Sequence, residues 1–251
     1  MKKLAAQVNR ICSTVFGRTP ENGWKAEDPV GESLAKMRRR APQYKALGRK
    51  TKVAILGGAF DPITKGHIAL ASFVLNASKS FDEVWIMPCF RHVTKRMASS
   101  QHRLEMCRLA AHADGRIKVF DYGIRHHLSG ETCSLVKHLL EEKLAEQYEF
   151  SIIIGQDNAN NFDQWVNYGE LERIMAFVVV PRKGVKPDSK VAWYLHPPHM
   201  LLQPDNEIPH ISSTAVRSSL QRSTERNQRF LQAHVAPAVL AYIRRHHLYR
   251  K

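Results

Sequence analysis

The chain has 251 residues, 43% of them hydrophobic, and a formal charge of +15, which suits one sizeable α/β domain with an appendage and no covalent staples. No apolar run approaches the roughly 20 residues of a membrane span, and residues 1–20 lack the apolar block and cleavage site of a secretory signal, so a cytoplasmic protein is expected. The four cysteines, Cys12, Cys89, Cys107 and Cys133, are scattered without a C-x-x-C pair, which argues against a disulfide framework and a zinc site.

Residues 1–50 read as a basic N-terminal extension of unknown role. Its first 20 residues carry Lys2, Lys3, Arg10 and Arg18 and no acid, a pattern shared with organellar transit segments but read here as a solvated start. Residues 22–50 mix Gly, Pro and charge, including the Arg38-Arg39-Arg40 run, with little apolar periodicity. Residues 1–52 hold 13 Lys/Arg against 4 Asp/Glu. By contrast residues 53–216 hold 17 against 18, and the excess returns in residues 217–251, with 8 against 1. A basic groove through the core is therefore not supported, and nucleic acid is not the expected partner. A nucleic-acid-binding or regulatory protein using the basic ends is the rival of a different class.

The character changes at residue 51, where a domain spanning residues 51–251 is expected to begin. Val53-Ala54-Ile55-Leu56 is a short apolar run stopped by Gly57-Gly58, as a buried parallel strand would be. Further strands are expected at 84–87, 117–120, 151–154 and 176–180. Helical spacing of apolar residues separates them over 67–77, 101–112 and 132–147. The alternation predicts a Rossmann-like, doubly wound parallel sheet with ligands at the carboxyl ends of its strands. A late helical part starts near residue 211 and closes with a short helix over 237–247. No internal repeat is evident.

Polar loops follow three of the predicted strands. The first, residues 57–67, reads Gly-Gly-Ala-Phe-Asp-Pro-Ile-Thr-Lys-Gly-His. Its glycines let backbone approach a ligand, Asp61-Pro62 fixes a turn, and Gly66-His67 opens a helix, which is a phosphate-binding arrangement. Neither the P-loop nor the G-x-G-x-x-G pattern is present. Gly155-Gln156-Asp157 follows the strand at 151–154, and Pro181-Arg182 follows the strand at 176–180.

The first loop resembles the G-x-F-D-P-x-(H/T)-x-G-H motif of adenylyl- and cytidylyltransferases, in its T-x-G-H form. Ile211-Ser212-Ser213-Thr214-Ala215-Val216-Arg217 matches the I-S-S-T-x-x-R segment of the same superfamily. Within it, the chain resembles the bacterial nicotinate mononucleotide adenylyltransferases. Ile154-Gly155-x-Asp157 with Trp165, Arg103-x-x-Met106, the stretch from Ser129 to Leu135, and the end around Tyr242-Ile243 and Leu248-Tyr249 carry that likeness. Two departures stand out: Thr64 occupies a position where this family usually has His, and the family's P-P-H-K loop is represented only by Arg91-His92-Val93-Thr94-Lys95. The Thr form is common in phosphopantetheine adenylyltransferase, the nearest rival, and nicotinamide mononucleotide is the alternative substrate.

The resemblance implies transfer of AMP from ATP to nicotinate mononucleotide in NAD biosynthesis, without a covalent intermediate. It implies that His67 donates to the α-phosphate, that Thr64 donates to ATP phosphate oxygens, and that Arg217, Ser212, Ser213 and Thr214 hold the β/γ-phosphates. Gly57, Gly58, Phe60, Gly66, Gly155 and Arg182 complete the expected ATP contacts, with Asp157 accepting from a ribose hydroxyl. Lys95, Thr132, Trp165 and the Val166 amide are expected at the mononucleotide, Trp165 stacking on the pyridine ring. Mg²⁺ is expected to arrive on ATP, and no metal-ligating residues are assigned, since His126-His127, His196, His199 and His246-His247 have no carboxylate or cysteine at ligand spacing.

Overall fold

A computed structural model of the chain describes residues 49–91, 97–142, 144–182, 184–205, 208, 211–222 and 224–250. The extension assigned to residues 1–50 lies outside them except for Arg49 and Lys50. Those two fasten the start of the domain. Arg49 makes a two-pronged bond to the Asp82 carboxylate at 2.7 and 2.8 Å, and the Lys52 amide donates to the same group at 2.8 Å. The guanidinium beside it holds the Asp82 carboxyl below its usual range.

The elements run β1 (Thr51–Gly58), α1 (Lys65–Ala77), β2 (Glu83–Pro88), α2 (Ser100–Ala111), β3 (Ile117–Val119) and α3 (Tyr122–Arg125), then α4 (Thr132–Glu141), α5 (Leu144–Gln147), β4 (Tyr148–Gly155) and α6 (Gln156–Asn160). They continue with α7 (Tyr168–Ile174), β5 (Ala176–Val180), β6 (Met200–Leu201), α8 (Ser213–Leu220), α9 (Glu225–His234) and α10 (Pro237–Arg245). Among the described residues the strands form one six-stranded sheet in the order β3-β2-β1-β4-β5-β6. Every pairing is parallel. That is the doubly wound order, and its direction reverses between β1 and β4, where a crevice must open beyond the strand ends.

Burial on both faces explains why the strands read as continuous apolar runs rather than alternating ones. Ala54 and Leu56 pack on one side with Leu70, Val74, Met106, Val216, Leu231, Val239 and Ile243. Val53 and Ile55 pack on the other with Trp85, Phe120, Val136, Leu139, Leu171 and Phe177. The last three helices thus belong to the same core as the first helix and brace the face beside the first motif.

The doubly wound expectation holds, with local corrections. The helix expected over 132–147 is two: Glu142 turns extended at ψ 148° and ends α4, and α5 leads straight into β4. Both ends of the 151–154 strand lengthen, to Tyr148 and Gly155. The third strand stops at Val119, before Phe120. A sixth strand went unread because two residues, Met200 and Leu201, present no period. The closing helix ends at Arg245 rather than 247. No helix among the described residues is long and apolar enough to cross a membrane.

Candidate active site

The chain leaves β1 through Gly57-Gly58 and bends at Phe60, whose φ of 47° is left-handed. The bend folds the Phe60 ring back under the loop. A Cβ on Gly58 would sit 3.1 Å from that ring, so the second glycine is the one that close packing demands. The ring is 3% exposed and meets the His67 imidazole edge-on, with centroids 5.1 Å apart. Phe60 is therefore a support for His67 more than a contact surface for ligand.

His67 occupies the first turn of α1, with Thr64 as N-cap. The Thr64 amide donates to His67 Nδ1 at 3.0 Å, and the Thr64 hydroxyl lies 2.8 Å from the same nitrogen. An amide N–H can only donate, so Nδ1 is an acceptor and the ring proton sits on Nε2. Two bonds thus fix the tautomer and orientation of the ring. Thr64 is buried, and its hydroxyl is spent on this ring. Being at the N-terminus of a 13-residue helix, the Nε2–H adds to a positive dipole end suited to phosphate.

The late motif is bolted to the first. Ser213 Oγ donates to the Pro62 carbonyl at 2.8 Å, and Arg217 Nη1 donates to the Asp61 carbonyl at 2.7 Å. Arg217 Nη2 also reaches Thr214 Oγ1 at 3.1 Å, and Ser212 caps α8 by accepting from the Ala215 amide. Segments some 150 residues apart in the chain are therefore one structural unit.

Two cavities beyond the strand ends share a lining residue. The larger, about 310 Å³, is bounded by Gly57, Gly58, Gly155, Thr132, Trp165 and Arg182, among other residues. The smaller, about 110 Å³, is bounded by Thr64, Gly66, His67, Ser212, Ser213 and again Arg182. Arg182 is the side chain common to both. It lies 3.6 Å from Asp157 Oδ1 in an ion pair, across a glycine, Gly155, where a side chain would collide with both partners. Trp165 is partly exposed, leans on Phe162 at 5.5 Å, and turns another part toward the larger cavity. Val166, 52% exposed, does not bound that cavity. Lys95 lies outside the described residues.

Gly155 yields a sharp prediction. Its φ of −78° suits any residue, so Gly155→Ala should fold normally, yet its methyl must displace Arg182 and Asp157. Turnover is expected to fall by roughly tenfold or more for such a misplacement, with thermal unfolding close to wild type. A variant with unaltered kinetics would show that neither side chain matters where it now sits.

Residues the sequence reading passed over also bound the site. Asn158 and Phe90 line the larger cavity, and neither belongs to a recognisable pattern. More telling is Arg103, fully buried. Its N–H groups donate to the Ala59, Cys89, Phe90 and Ala98 carbonyls at 2.7–3.0 Å, tying the first loop to the loop that follows β2. It stood in the sequence as part of a helix likeness, with nothing to show that its side chain turns inward.

The fold agrees with the comparisons. A cytidylyltransferase-like family model matches residues 55–219. The chain is 31% identical over 205 residues to a protein of Anaeromyxobacter dehalogenans, spanning 79% of this chain and 97% of the relative, and 34% identical over 180 residues to one of Bacteroides fragilis, spanning 68% and 83%. Both relatives are described as probable nicotinate-nucleotide adenylyltransferases. Among solved structures, Plasmodium falciparum nicotinic acid mononucleotide adenylyltransferase complexed with NaAD shares the fold, at TM-score 0.67 and 24% identity over 79% of this chain and 97% of that one. The class is thus that of the cytidylyltransferase-like nucleotidyltransferases. Within it, the chain belongs to the nicotinate-nucleotide adenylyltransferase family.

Proposed function

We propose that this protein transfers the adenylyl group of ATP to nicotinate mononucleotide, giving nicotinate adenine dinucleotide and pyrophosphate in NAD biosynthesis. The observation that carries the reading is the pair of cavities that share Arg182 in their linings. One is fitted for an aromatic mononucleotide by Trp165 and Thr132. The other is fitted for polyphosphate by the His67 Nε2–H and the N-termini of two helices. The α-phosphorus belongs at the junction, where a mononucleotide phosphate approaching from one side faces a leaving pyrophosphate on the other.

In this reading the chain's groups bind, orient and neutralise, and no protein nucleophile is needed. His67 donates Nε2–H to a non-bridging α-phosphate oxygen as charge builds there. Thr64 acts through His67 by holding Nδ1. Arg217 and the α8 N-terminus take the β- and γ-phosphates, and Arg182 bridges the two nucleotides. Trp165 supports the pyridine ring on one face. Mg²⁺ belongs to the substrate here: carried on ATP, it offsets phosphate charge. The nearby carboxylates fit that role, since Asp61 and Asp157 are each held by an arginine and are poorly placed to coordinate a cation directly.

The test is a substrate panel read by pyrophosphate release, with nicotinate mononucleotide, its amide and phosphopantetheine at equal concentration. The acid should be used with the highest kcat/KM. Preference for the amide would change the substrate and keep the chemistry, while preference for phosphopantetheine would overturn the reading.

A further inference from the structure

The end of the chain reaches the first motif. Helix α10 closes in a Schellman turn: His247 takes a φ of 52°, its amide donates to the Arg244 carbonyl at 3.3 Å, and the Leu248 amide donates to the Ile243 carbonyl at 3.1 Å. That turn is why the helix stops at Arg245. It lays Leu248 on the core and sends Tyr249 inward, where the hydroxyl donates to Asp61 Oδ1 at 2.6 Å.

Asp61 is 3% exposed, and the same oxygen accepts the Ala98 amide at 3.2 Å. Its other oxygen lies 3.7 Å from Arg217 Nη1, the group that donates to the Asp61 carbonyl. The first motif, the late motif and the last turn therefore converge on one buried carboxylate. Burial, reinforced by the Asp61 acceptor, pushes the Tyr249 phenol well above its usual range, which keeps it a donor.

We propose that Tyr249 is a positioning residue of the ATP site, holding Asp61 so that Arg217 stays braced on the main chain and available to phosphate. The inference rests on the adenylyl-transfer reading. Without the phenol, the carboxylate loses its shortest donor and competes for the guanidinium 3.7 Å away. The existing ion pair, 3.7 Å long, would then tighten and draw Arg217 off the leaving phosphates.

The experiment compares Tyr249→Phe with Tyr242→Phe, a residue of α10 whose lost hydroxyl bonds His102 Nδ1 of α2 at 2.9 Å and does not touch Asp61. ATP binding is measured by calorimetry without the second substrate, alongside KM for both substrates. Tyr249→Phe should weaken ATP binding and raise its KM by about tenfold, the scale of one lost charge-assisted hydrogen bond, with the mononucleotide KM within about twofold and Tyr242→Phe like wild type on both counts. Neither constant is altered by an irreversibly unfolded fraction, and reversible unfolding would raise both KM values alike. Unchanged ATP binding in Tyr249→Phe, or an equal loss in both variants, would overturn the proposal. Because the calorimetric arm needs no turnover, a chain inactive on nicotinate mononucleotide refutes the functional reading separately.

Discussion

His67→Ala is expected to lower kcat by about 10²- to 10³-fold, the cost of removing one preorganised donor to a charge that grows in the transition state, while unfolding stays near wild type. The side chain is only half-buried, and its fixed partners, Thr64 and Phe60, lie in a loop that Arg103 and the late motif hold independently. Most of the loss should fall on kcat, because the donor matters most when the α-phosphate oxygens gather charge. Steady-state kinetics beside a thermal melt checks this. A variant that retains kcat would remove His67 from the mechanism, whatever happens to its stability.

The second large effect is on stability. Arg103→Met keeps the aliphatic stem and deletes the guanidinium donors to the carbonyls of four half-buried residues. Each orphaned acceptor costs about 1–3 kcal/mol, offset by the desolvation that the guanidinium itself no longer suffers, so the net loss is placed at about 4 kcal/mol. For a domain of this size that is a fall in Tm of roughly 10 °C. Arg103→Lys should fall between, since an ammonium has three donors and no planar fork. Denaturant unfolding measures the difference, and a loss below about 1 kcal/mol in the Met variant would mean that water replaces the guanidinium at little cost.

The fold was legible because its strands announce themselves. Runs such as Phe177-Val178-Val179-Val180, buried on both faces, cannot be solvated elements, and the glycines at 57–58 and 155 mark where two of them stop. The sheet's missed features were those without a period: the two-residue β6, and the break at Glu142, where a helical pattern continues through an extended residue. Of the expected site residues, His67, Ser212 and Ser213 stand at motif positions and Arg182 in the polar loop after β5, and all four line the smaller cavity. Spacing could not reveal that Thr64 spends its hydroxyl on the His67 ring, since a hydroxyl's direction depends on the cap geometry it helps create. Nor could it reveal that Arg103 and Tyr249 turn inward. Both make bonds across wide sequence separations, 44 residues from Arg103 to Ala59 and 188 from Tyr249 to Asp61, and such pairings exist only once the sheet has brought their segments together.

The proposed chemistry is adenylyl transfer by direct attack at the α-phosphorus of ATP. Its most direct test follows ATP labelled at the α-phosphate through a single turnover with nicotinate mononucleotide. The label should appear only in the dinucleotide, with unlabelled pyrophosphate released in equal amount and no labelled protein at any time. Label in ADP, or on the chain itself, would contradict the account.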